Sequence, residues 1–501
     1  MLDDACAFVN VRFVAGCLVC CTAMVASFSR TSAAAEAGAA AAKPVNIGSR
    51  LELFVDDFLI DKLKGTRLQL NRPTPKEIAI TFDAPWEGNC SACSTVFRDG
   101  DTFRMYYRCL DFDPKTRKYT KEKTAYAESK DGITWTKPKL GLFEFAGSNQ
   151  NNIVWQGVES HNFTPFIDAN PGCPPDARYK AVGGPSRKTG MRILKSADGI
   201  HWQRIQPGPA ITDGAFDSQN LAFWWPQSKC YVAHFRTFSK GAYKGIRDIS
   251  RATSKDFVHW TQTEGLQYGN APHEHLYTNG IAPYFRAPHI LMGFPKRFWP
   301  DRKRSDHPFG GVSEVIFMTS RDGKTFHRWQ EAWIRPGLMK ERWVNRNNIT
   351  SYGMLVTKSD IVGMPDELSF YSKEGYYVGP CRMRRYTLRV DGFVSVNAPY
   401  AGGEMITKPL VFAGKHLVMN YATSAAGSVR VEIQDAAGKP IPGYTLKDCP
   451  EIYGDEIAEA VRWKGGNDVS KLASKPVRLR LVMKDADLYA IQFATTPPKR
   501  R

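Results

Sequence analysis

Apolar residues along this chain occur in short runs and not at the spacing of a helix. Such runs cover residues 103–107, 178–182, 230–234, 289–293 and 368–371, and glycine, proline and polar residues separate them. Valine, isoleucine and aromatic residues are frequent in these runs, and residues of this kind favour strands. The pattern predicts an all-β protein built from many short strands.

One short motif returns after these runs. Ser129–Trp135 reads SKDGITW, and copies that start at Ser196, Ser254 and Ser320 read SADGIHW, SKDFVHW and SRDGKTF; a weaker copy, RVDGFVS, starts at Arg389. Serine and aspartate side chains bond to nearby backbone N–H groups and glycine permits a tight turn, so each copy predicts a corner between two strands. The copies recur at intervals of about 60 to 70 residues, a period that indicates repeated units of several strands.

Five such units predict a five-bladed β-propeller over residues 49–401. The alternative is a set of unrelated hairpins in a sandwich. From residue 402 to 496 the motif is missing, and the strands there predict a C-terminal β-sandwich. Leu51, Leu53 and Val55 alternate with other residues as in a strand. An N-terminal strand at this place closes the last blade in many propellers.

The N-terminus has the pattern of a targeting segment. An apolar run over 13–28 and small residues over 31–35 predict a signal peptide over 1–35, and hence an exported protein, periplasmic or extracellular. The apolar run is short for a membrane span, so stable membrane insertion is not expected. Residues 36–48 are rich in alanine and glycine and predict a linker, and 497–501 form a basic tail.

The chain is basic, with a net charge of +18 at pH 7. A basic exported protein attracts acidic polymers such as nucleic acid, lipid headgroups, and glycans that carry uronate or sulfate. No nucleic-acid motif occurs, so nucleic acid is not an expected partner. The run from Lys296 to Arg304 concentrates basic residues in a predicted loop of blade four. It indicates either an electrostatic rim for an anionic glycan or a solvated charged surface.

The cysteines do not indicate a disulfide framework or a metal site. Beyond residue 35 they are sparse and odd in number, which favours buried small residues. Cys90 and Cys93 have CxxC spacing, but no second CxxC or paired histidine follows. No metal ligands are therefore predicted.

The polar residues that are candidates for a functional site lie where each blade begins. The first strand of a propeller blade lines the central axis, so side chains at the five openings converge on one funnel. These openings, near residues 87, 161, 217, 274 and 346, are rich in acids, amides, histidine, arginine and aromatic residues. We therefore expect one polar pocket on the axis, to which several blades contribute.

The five units, the S-x-D-G-x-x-W corners and the C-terminal sandwich together resemble the furanosidase-like glycoside hydrolases, a group that includes families 32, 43, 68, 117 and 130. The resemblance of the propeller covers about residues 50–400. It implies catalysis by carboxylates on the innermost strands. One carboxylate attacks the anomeric carbon or activates water, while another protonates the leaving oxygen.

The resemblance implies three catalytic candidates: Asp217, Glu274 and Glu87. Asp217 lies most like the second aspartate of family 43, and Glu274 lies a few residues before the acid of that family. The first aspartate of the family aligns near Cys93, and Glu87 is the nearest acid in blade one. The structural alternatives are a turn cap for Asp217, a rim ion pair for Glu274 and a loop cap for Glu87. The substrate-binding candidates are His161, Gln219, His275, Tyr277, Arg346 and Asn347.

These patterns lead to the hypothesis of an exported glycoside hydrolase for a polysaccharide or oligosaccharide, with anionic glycans among the candidate substrates. No catalytic cofactor is expected, and a structural calcium ion on the axis is one option. Two alternatives stay open. One is a propeller that binds glycans without cleaving them. The other is a glycoside phosphorylase, which needs a basic phosphate pocket on the axis, where Arg346 is the obvious candidate.

Overall fold

The computed structural model of the chain describes residues 43–185, 188–241, 243–304 and 310–497. The predicted signal peptide, residues 36–42 of the predicted linker and the tail beyond residue 497 lie outside the described residues. In the rest of that linker, Val45–Gly48 is a strand. The regular structure of the described residues is almost entirely β-strand. The prediction of an all-β protein is confirmed.

Three consecutive sheets each contain four antiparallel strands in chain order, from the inside to the outside of a blade. Blade one contains Ala92–Asp99, Thr102–Cys109, Lys123–Ser129 and Ile153–Trp155. Blade two contains Thr164–Ile167, Tyr179–Gly183, Arg192–Ser196 and Gln203–Arg204. Blade three contains Leu221–Trp225, Cys230–Phe238, Arg247–Ser254 and Glu264–Gly265.

Blade four has the same order, but its two inner strands are each interrupted. Its strands are His275–Leu276, Ala282–Tyr284, Ala287–Gly293, Lys296–Trp299, Val312–Ser320 and His327–Ile334. The second strand breaks at Pro295, which has no N–H to donate to a ladder. Both of its segments pair with the single strand Val312–Ser320.

Blade five takes its outermost strand from the N-terminal part of the sequence. Its strands are Leu355–Thr357, Glu367–Glu374, Cys381–Arg389 and Thr74–Phe82. Thr74–Phe82 pairs antiparallel with Cys381–Arg389, from Phe82 opposite Cys381 to Thr74 opposite Thr387. An N-terminal strand therefore closes the last blade, but it lies further along the sequence than Leu51–Val55. Glu52–Leu53 pairs instead with a C-terminal strand.

The repeated motif forms the same corner in four blades, between the third strand and the segment that leads to the outer edge. In the first copy, Asp131 Oδ1 accepts hydrogen bonds from the N–H groups of Ile133 and Thr134 at 2.7 and 2.8 Å. Ser129 Oγ accepts one from the N–H of Gly132 at 2.9 Å. Gly132 has φ +71°, a conformation that glycine adopts without steric cost.

Each corner also packs on the preceding blade and so defines a ring. The hydroxyl of Tyr106 in blade one donates to the carbonyl of Gly199 in blade two at 2.8 Å. Arg251 of blade three bonds in the same way to Gly323 of blade four at 2.9 Å. The hydroxyl of Tyr371 in blade five bonds to the carbonyl of Gly132 in blade one.

Buried hydrophobic clusters fill the spaces between blades one and two, two and three, three and four, four and five, and five and one. The prediction of a five-bladed propeller is therefore confirmed. The fifth copy of the motif differs, because the polypeptide leaves the propeller after Asp391 and continues into another sheet.

That sheet network contains ten strands and its own hydrophobic core. Its strands are Val45–Gly48, Glu52–Leu53, Ile60–Lys64, Arg67–Leu70, Val394–Ala398, Gly403–Thr407, Leu410–Phe412, His416–Asp435, Asp455–Ala460 and Val477–Ala494. The two longest, His416–Asp435 and Val477–Ala494, pair antiparallel over nearly their full length. The network thus includes strands from before and after the propeller in the sequence, and the assignment of residues 402–496 as a β-sandwich stays a prediction.

The remaining elements are small. A two-stranded hairpin joins Phe112–Asp113 to Lys118–Tyr119. Single turns of 3₁₀ helix are present at Val158–Ser160, Pro175–Ala177, Lys340–Trp343 and Ser470–Leu472. Within the described ranges no helix has the length and apolar character that a membrane crossing requires.

Candidate functional site

The candidate site is the funnel at the end of the axis where the first strands begin. Because adjacent strands are antiparallel, the second strand of each blade returns to this end and the third strand starts there. Side chains at the openings, at the ends of second strands and at the starts of third strands therefore meet in the funnel. The repeated corners follow the third strands and lie at the opposite end.

Asp217 stands in the loop before the first strand of blade three. Neighbouring side chains fix this loop: Ser218 Oγ donates to the carbonyl of Tyr277 at 2.6 Å, and Asn220 Nδ2 donates to the carbonyl of Phe216 at 2.9 Å. The Asp217 side chain is 50% exposed. It is therefore open to a ligand in the funnel while its backbone is held on both sides.

His161 joins Asp217 to a second carboxylate, Glu122. Its Nε2 lies 3.1 Å from Asp217 Oδ1, and its Nδ1 lies 2.8 Å from Glu122 Oε2. Ionised carboxylates only accept hydrogen bonds, so both ring nitrogens carry protons in this arrangement and the imidazole is positively charged. Asp217, His161 and Glu122 form one hydrogen-bonded line, which we call the carboxylate–histidine line.

The pKa values of the three groups agree with this charge state. Burial lowers the pKa of His161, but the hydrogen bonds to Asp217 and Glu122 outweigh it and raise that pKa above its usual value. Burial raises the pKa of Asp217, but His161 and Arg236 outweigh it and hold that pKa at about 2. The pKa of Glu122 is also lowered, since His161 and Arg108 outweigh its burial. The directions of these three pKa shifts all favour a line of two carboxylates and one imidazolium.

Four cations come from corresponding places near the ends of second strands: Arg108, Arg236, Lys296 and Lys373. All four side chains are buried. In blade two the corresponding residue, at the end of the second strand, is Gly183. A Cβ there would lie 2.2 Å from the carbonyl oxygen of Glu159, so the loop that holds His161 excludes any side chain.

The ring of Tyr277 is in contact with two of these cations and with Arg247. Lys296 Nζ is 4.0 Å from its ring centroid, and the guanidinium carbons of Arg236 and Arg247 are 4.7 and 5.1 Å from it. The nearest oxygen of Asp217 lies 3.9 Å from Arg236. Cation–π contacts of this kind stabilise a cation without neutralising its charge.

Arg346, at the opening of blade five, adds a further positive charge to the funnel. It donates to the hydroxyls of Tyr376 and Tyr377, each at 3.0 Å. Its backbone has φ +70°, which is uncommon for arginine, and its N–H donates to Ser313 Oγ at 3.1 Å. Among the described residues, the contacts above place the carboxylates Asp217 and Glu122 in the funnel, together with the cations Arg108, Arg236, Arg247, Lys296, Arg346 and Lys373.

The structure brings together part of the predicted site. Asp217, His161, Tyr277 and Arg346 meet in the funnel, as the contacts above show. His275 lies at its edge, where Nδ1 accepts a hydrogen bond from the N–H of Arg247 at 3.1 Å. The chemical roles of these five residues stay predictions.

Two predicted catalytic acids lie outside the carboxylate–histidine line. Glu87 is buried, and its carboxylate accepts hydrogen bonds from the Tyr107 hydroxyl at 2.6 Å and from Lys137 Nζ at 2.8 Å. Glu274 is paired with Arg297 at 3.3 Å and with Arg328 at 2.7 Å. These contacts are those expected of a loop cap and a rim ion pair, and no contact with Asp217 is seen among the described residues.

Two predicted binding residues make hydrogen bonds within the scaffold, and their binding roles stay predictions. Gln219 Nε2 donates to the carbonyl of Ser94 at 3.0 Å and so links blade three to blade one near the axis. Asn347 is fully buried, and its Oδ1 accepts a hydrogen bond from the N–H of Tyr376 at 3.0 Å. Asn347 therefore positions a tyrosine that contacts Arg346.

The basic run of blade four is divided between the strand and the loop. Lys296 and Arg297 belong to the strand Lys296–Trp299 and are buried, which corrects the prediction that the whole run is a loop. The residues from Arg302 to Arg304 are exposed. The guanidinium carbon of Arg302 lies 4.7 Å from the ring centroid of Trp299.

The sequence also contained a signal for the charged funnel residues that lie outside the blade openings. Arg108, Arg236, Lys296 and Lys373 are basic residues near the ends of otherwise apolar second strands, at the same place in four repeats. Glu122 and Arg247 stand at the starts of third strands. A comparison of corresponding places in the repeats, beyond the blade openings, identifies all six.

The described residues contain no group of three or more histidine, cysteine, aspartate or glutamate side chains suited to a metal ion. A calcium ion on the axis stays a prediction. The cysteines from Cys90 onward are free, and five of the seven are buried.

No protein-family profile matches the sequence, and no curated protein sequence matches it. Solved structures do. A complex of BT0996 with RGII has 15% identity and a TM-score of 0.44, and the match covers 64% of the present protein and 92% of that structure. A member of the GH130 family of mannoside phosphorylases, which contains hydrolases of β-1,2-mannosidic linkages in Candida mannan, has 14% identity and a TM-score of 0.37 over 67% and 96%.

A GH32 β-fructofuranosidase from Bombyx mori has 9% identity and a TM-score of 0.41, over 86% of the present protein and 96% of that structure. Families 130 and 32 belong to the group of glycoside hydrolases that the sequence resembles. At these identities and scores the likeness carries no argument about chemistry, so any function must be argued from the funnel itself.

Proposed function

We propose that the protein is an exported glycoside hydrolase and that the axial funnel is its active site. The observation that carries the proposal is the half-exposed carboxylate of Asp217, held at 3.1 Å from His161 among polar side chains that several blades contribute. Hydrolysis of a glycosidic bond requires a carboxylate that stays ionised at the anomeric carbon. Asp217, with a pKa of about 2, has this property over the physiological range.

In this proposal Asp217 acts as the nucleophile or as the base that activates water. Two groups in the funnel can supply the proton for the leaving oxygen. One is His161, which carries a proton on Nε2 beside Asp217. The other is Lys373, whose pKa burial lowers to about 8 when no anion is bound beside it. The hydroxyl group of Tyr277 is a further candidate contact for a sugar.

The excess of cations favours a second candidate, a glycoside phosphorylase. Phosphorolysis replaces water by inorganic phosphate, which requires a basic pocket beside the anomeric carbon. Lys296, Arg346 and Lys373 give the funnel such a pocket. A glycan-binding propeller without activity is the third possibility, and such a protein does not require the carboxylate–histidine line.

The test is a glycan screen with the purified protein that lacks residues 1–35. Neutral and uronate- or sulfate-bearing polysaccharides and oligosaccharides are incubated with the protein, with and without inorganic phosphate. Release of reducing sugar without phosphate supports the hydrolase. Formation of sugar phosphate only when phosphate is added supports the phosphorylase, and binding without any product supports the glycan-binding protein.

A further inference from the structure

In the described part of the funnel there is more buried positive charge than Asp217 and Glu122 neutralise. Lys296 and Lys373 are only 1% and 3% exposed. Lys296 Nζ donates to the amide oxygen of Asn345 at 2.9 Å, and Lys373 Nζ lies 4.2 Å from the ring centroid of Tyr376. In the part of the protein that the structure describes, neither ammonium forms an ion pair with a carboxylate.

Two arginines stand beside these lysines, and one hydroxyl orients both of them. The hydroxyl of Tyr376 accepts a hydrogen bond from Arg108 at 3.1 Å and from Arg346 at 3.0 Å. Arg108 is buried, and its Nε makes no hydrogen bond to the described residues. The nearest negative charge to Arg108 is Glu122, at 3.6 Å. We call Arg108, Lys296, Arg346 and Lys373 the cation cluster.

A cluster of this kind is costly when it is left empty. Burial of a charge without a counter-charge is unfavourable, and like charges in one pocket add repulsion. Burial, followed by the neighbouring cations, lowers the pKa of Lys296 well below its usual value. The pKa of Lys373 is lowered to about 8 mainly by burial. An anion bound among the four side chains would raise the pKa values of both lysines again.

We propose that the cation cluster is an oxyanion subsite, which binds the carboxylate or sulfate group of an acidic sugar, or a free phosphate, next to Asp217. The two arginines are held in place by Tyr376 and present planar donor groups, whereas the two lysines act as point charges. The inference rests on the proposed function only in that the acidic sugar belongs to the glycan being cleaved. It does not depend on the cleavage chemistry.

Binding to the wild-type protein tests the subsite directly. Calorimetry and thermal denaturation are carried out with D-galacturonate, glucose 6-sulfate and inorganic phosphate, and with D-galactose and D-glucose as neutral sugars. We expect at least one oxyanion to bind and to raise the Tm, since a ligand that binds only the folded state stabilises it. We expect the neutral sugars to bind about tenfold more weakly or not at all.

Variants separate the subsite from a structural role. In Lys373→Met the buried charge is removed, so we expect the Tm without ligand to stay the same or rise and oxyanion binding to weaken about tenfold or more. Lys373→Arg keeps the charge and is expected to retain part of the binding. Lys130→Met removes an exposed lysine on blade one and serves as the control, with unchanged binding.

The outcomes are distinct. Selective binding of galacturonate or the sulfated sugar assigns the subsite to an acidic sugar, and binding of phosphate alone assigns it to free phosphate. Equal binding of charged and neutral sugars, or full oxyanion binding by Lys373→Met, overturns the proposal. Asp217→Asn distinguishes the two proposals, because it is expected to abolish cleavage while oxyanion binding persists.

Discussion

His161 Nε2 lies 3.1 Å from Asp217 Oδ1, so that a residue in front of blade two is bonded to a residue in front of blade three. The contact joins two loops that are separated by a whole blade in the sequence. It also fixes the charge of both groups, since the imidazolium favours the ionised carboxylate and the carboxylate favours the imidazolium. Both effects bear on catalysis and can be measured separately.

Asp217→Asn is expected to lower kcat by about a hundredfold or more while binding of the glycan is retained. The amide keeps the shape of the carboxylate but loses the charge and basicity that a nucleophile or base requires. Steady-state kinetics on the substrate found by the screen gives kcat and KM. Asp213→Asn, in the same loop and exposed, is the matched control. Unchanged turnover in Asp217→Asn removes this residue from the mechanism.

Glu122→Gln is expected to lower the pKa of His161, because one of the two hydrogen bonds that raise it loses its negative charge. Arg108, on the same side, lowers that pKa further. An NMR titration of the labelled histidine measures the shift. If His161 titrates at the same pH in both proteins, the carboxylate–histidine line does not control its charge.

The loss of stability in Glu122→Gln is also expected to depend on pH. A histidine whose pKa is raised by folding stabilises the protein below its unfolded pKa of about 6.5, and this contribution is lost as pH rises through the folded value. The difference in free energy of unfolding between wild type and Glu122→Gln is therefore expected to be larger at pH 6 than at pH 9. Denaturant titrations at the two pH values measure it, and an equal difference contradicts the prediction.

Glu87→Gln is expected to destabilise the fold by about 1 to 3 kcal/mol and to leave kcat unchanged. Its carboxylate accepts from Tyr107, Lys137 and the N–H of Ala84, and the amide cannot satisfy all three donors. Asp83→Asn, an exposed partner of the same lysine, is the control with little effect. A large loss of kcat at unchanged stability supports the catalytic role of Glu87 instead.

Replacement of Arg302, Lys303 and Arg304 by serine is expected to raise KM for an anionic polymer and to spare a neutral one. These exposed residues follow Asp301, which acts electrostatically on His275 at the edge of the funnel. Long-range attraction is screened by salt, so the difference should shrink from low to physiological ionic strength. The Tm should not change. Equal kinetics on both polymers at every salt concentration leaves the loop as a solvated surface.

The propeller could be predicted because its corners are local. Ser129, Asp131 and Gly132 make their bonds within six residues, and the repeat of that pattern reveals the number of blades. The closing strand could not be found in this way. Thr74–Phe82 pairs with a strand about 300 residues later in the sequence, and nothing in its own residues specifies that partner.

The site was predicted in part for a related reason. Asp217, His161 and Arg346 stand at blade openings, which the propeller geometry directs to the axis. Lys296 and Lys373 lie within strands, where a single basic residue normally indicates a solvent-facing position. Their burial follows from the return of each second strand to the funnel. Glu274 also lies near an opening, where it is paired with Arg297 and Arg328, and its catalytic role stays a prediction.

The route of the N-terminal segment has a consequence for how the protein is made. Val45–Gly48 lies parallel to Leu410–Phe412, and Glu52–Leu53 pairs with Val477–Ala494. During synthesis these early strands stay unpaired, because their partner strands are made only after the propeller. A polypeptide that is cut short anywhere before Val477 leaves exposed strand edges at its beginning, and it is a natural target for chaperones and for proteolytic quality control.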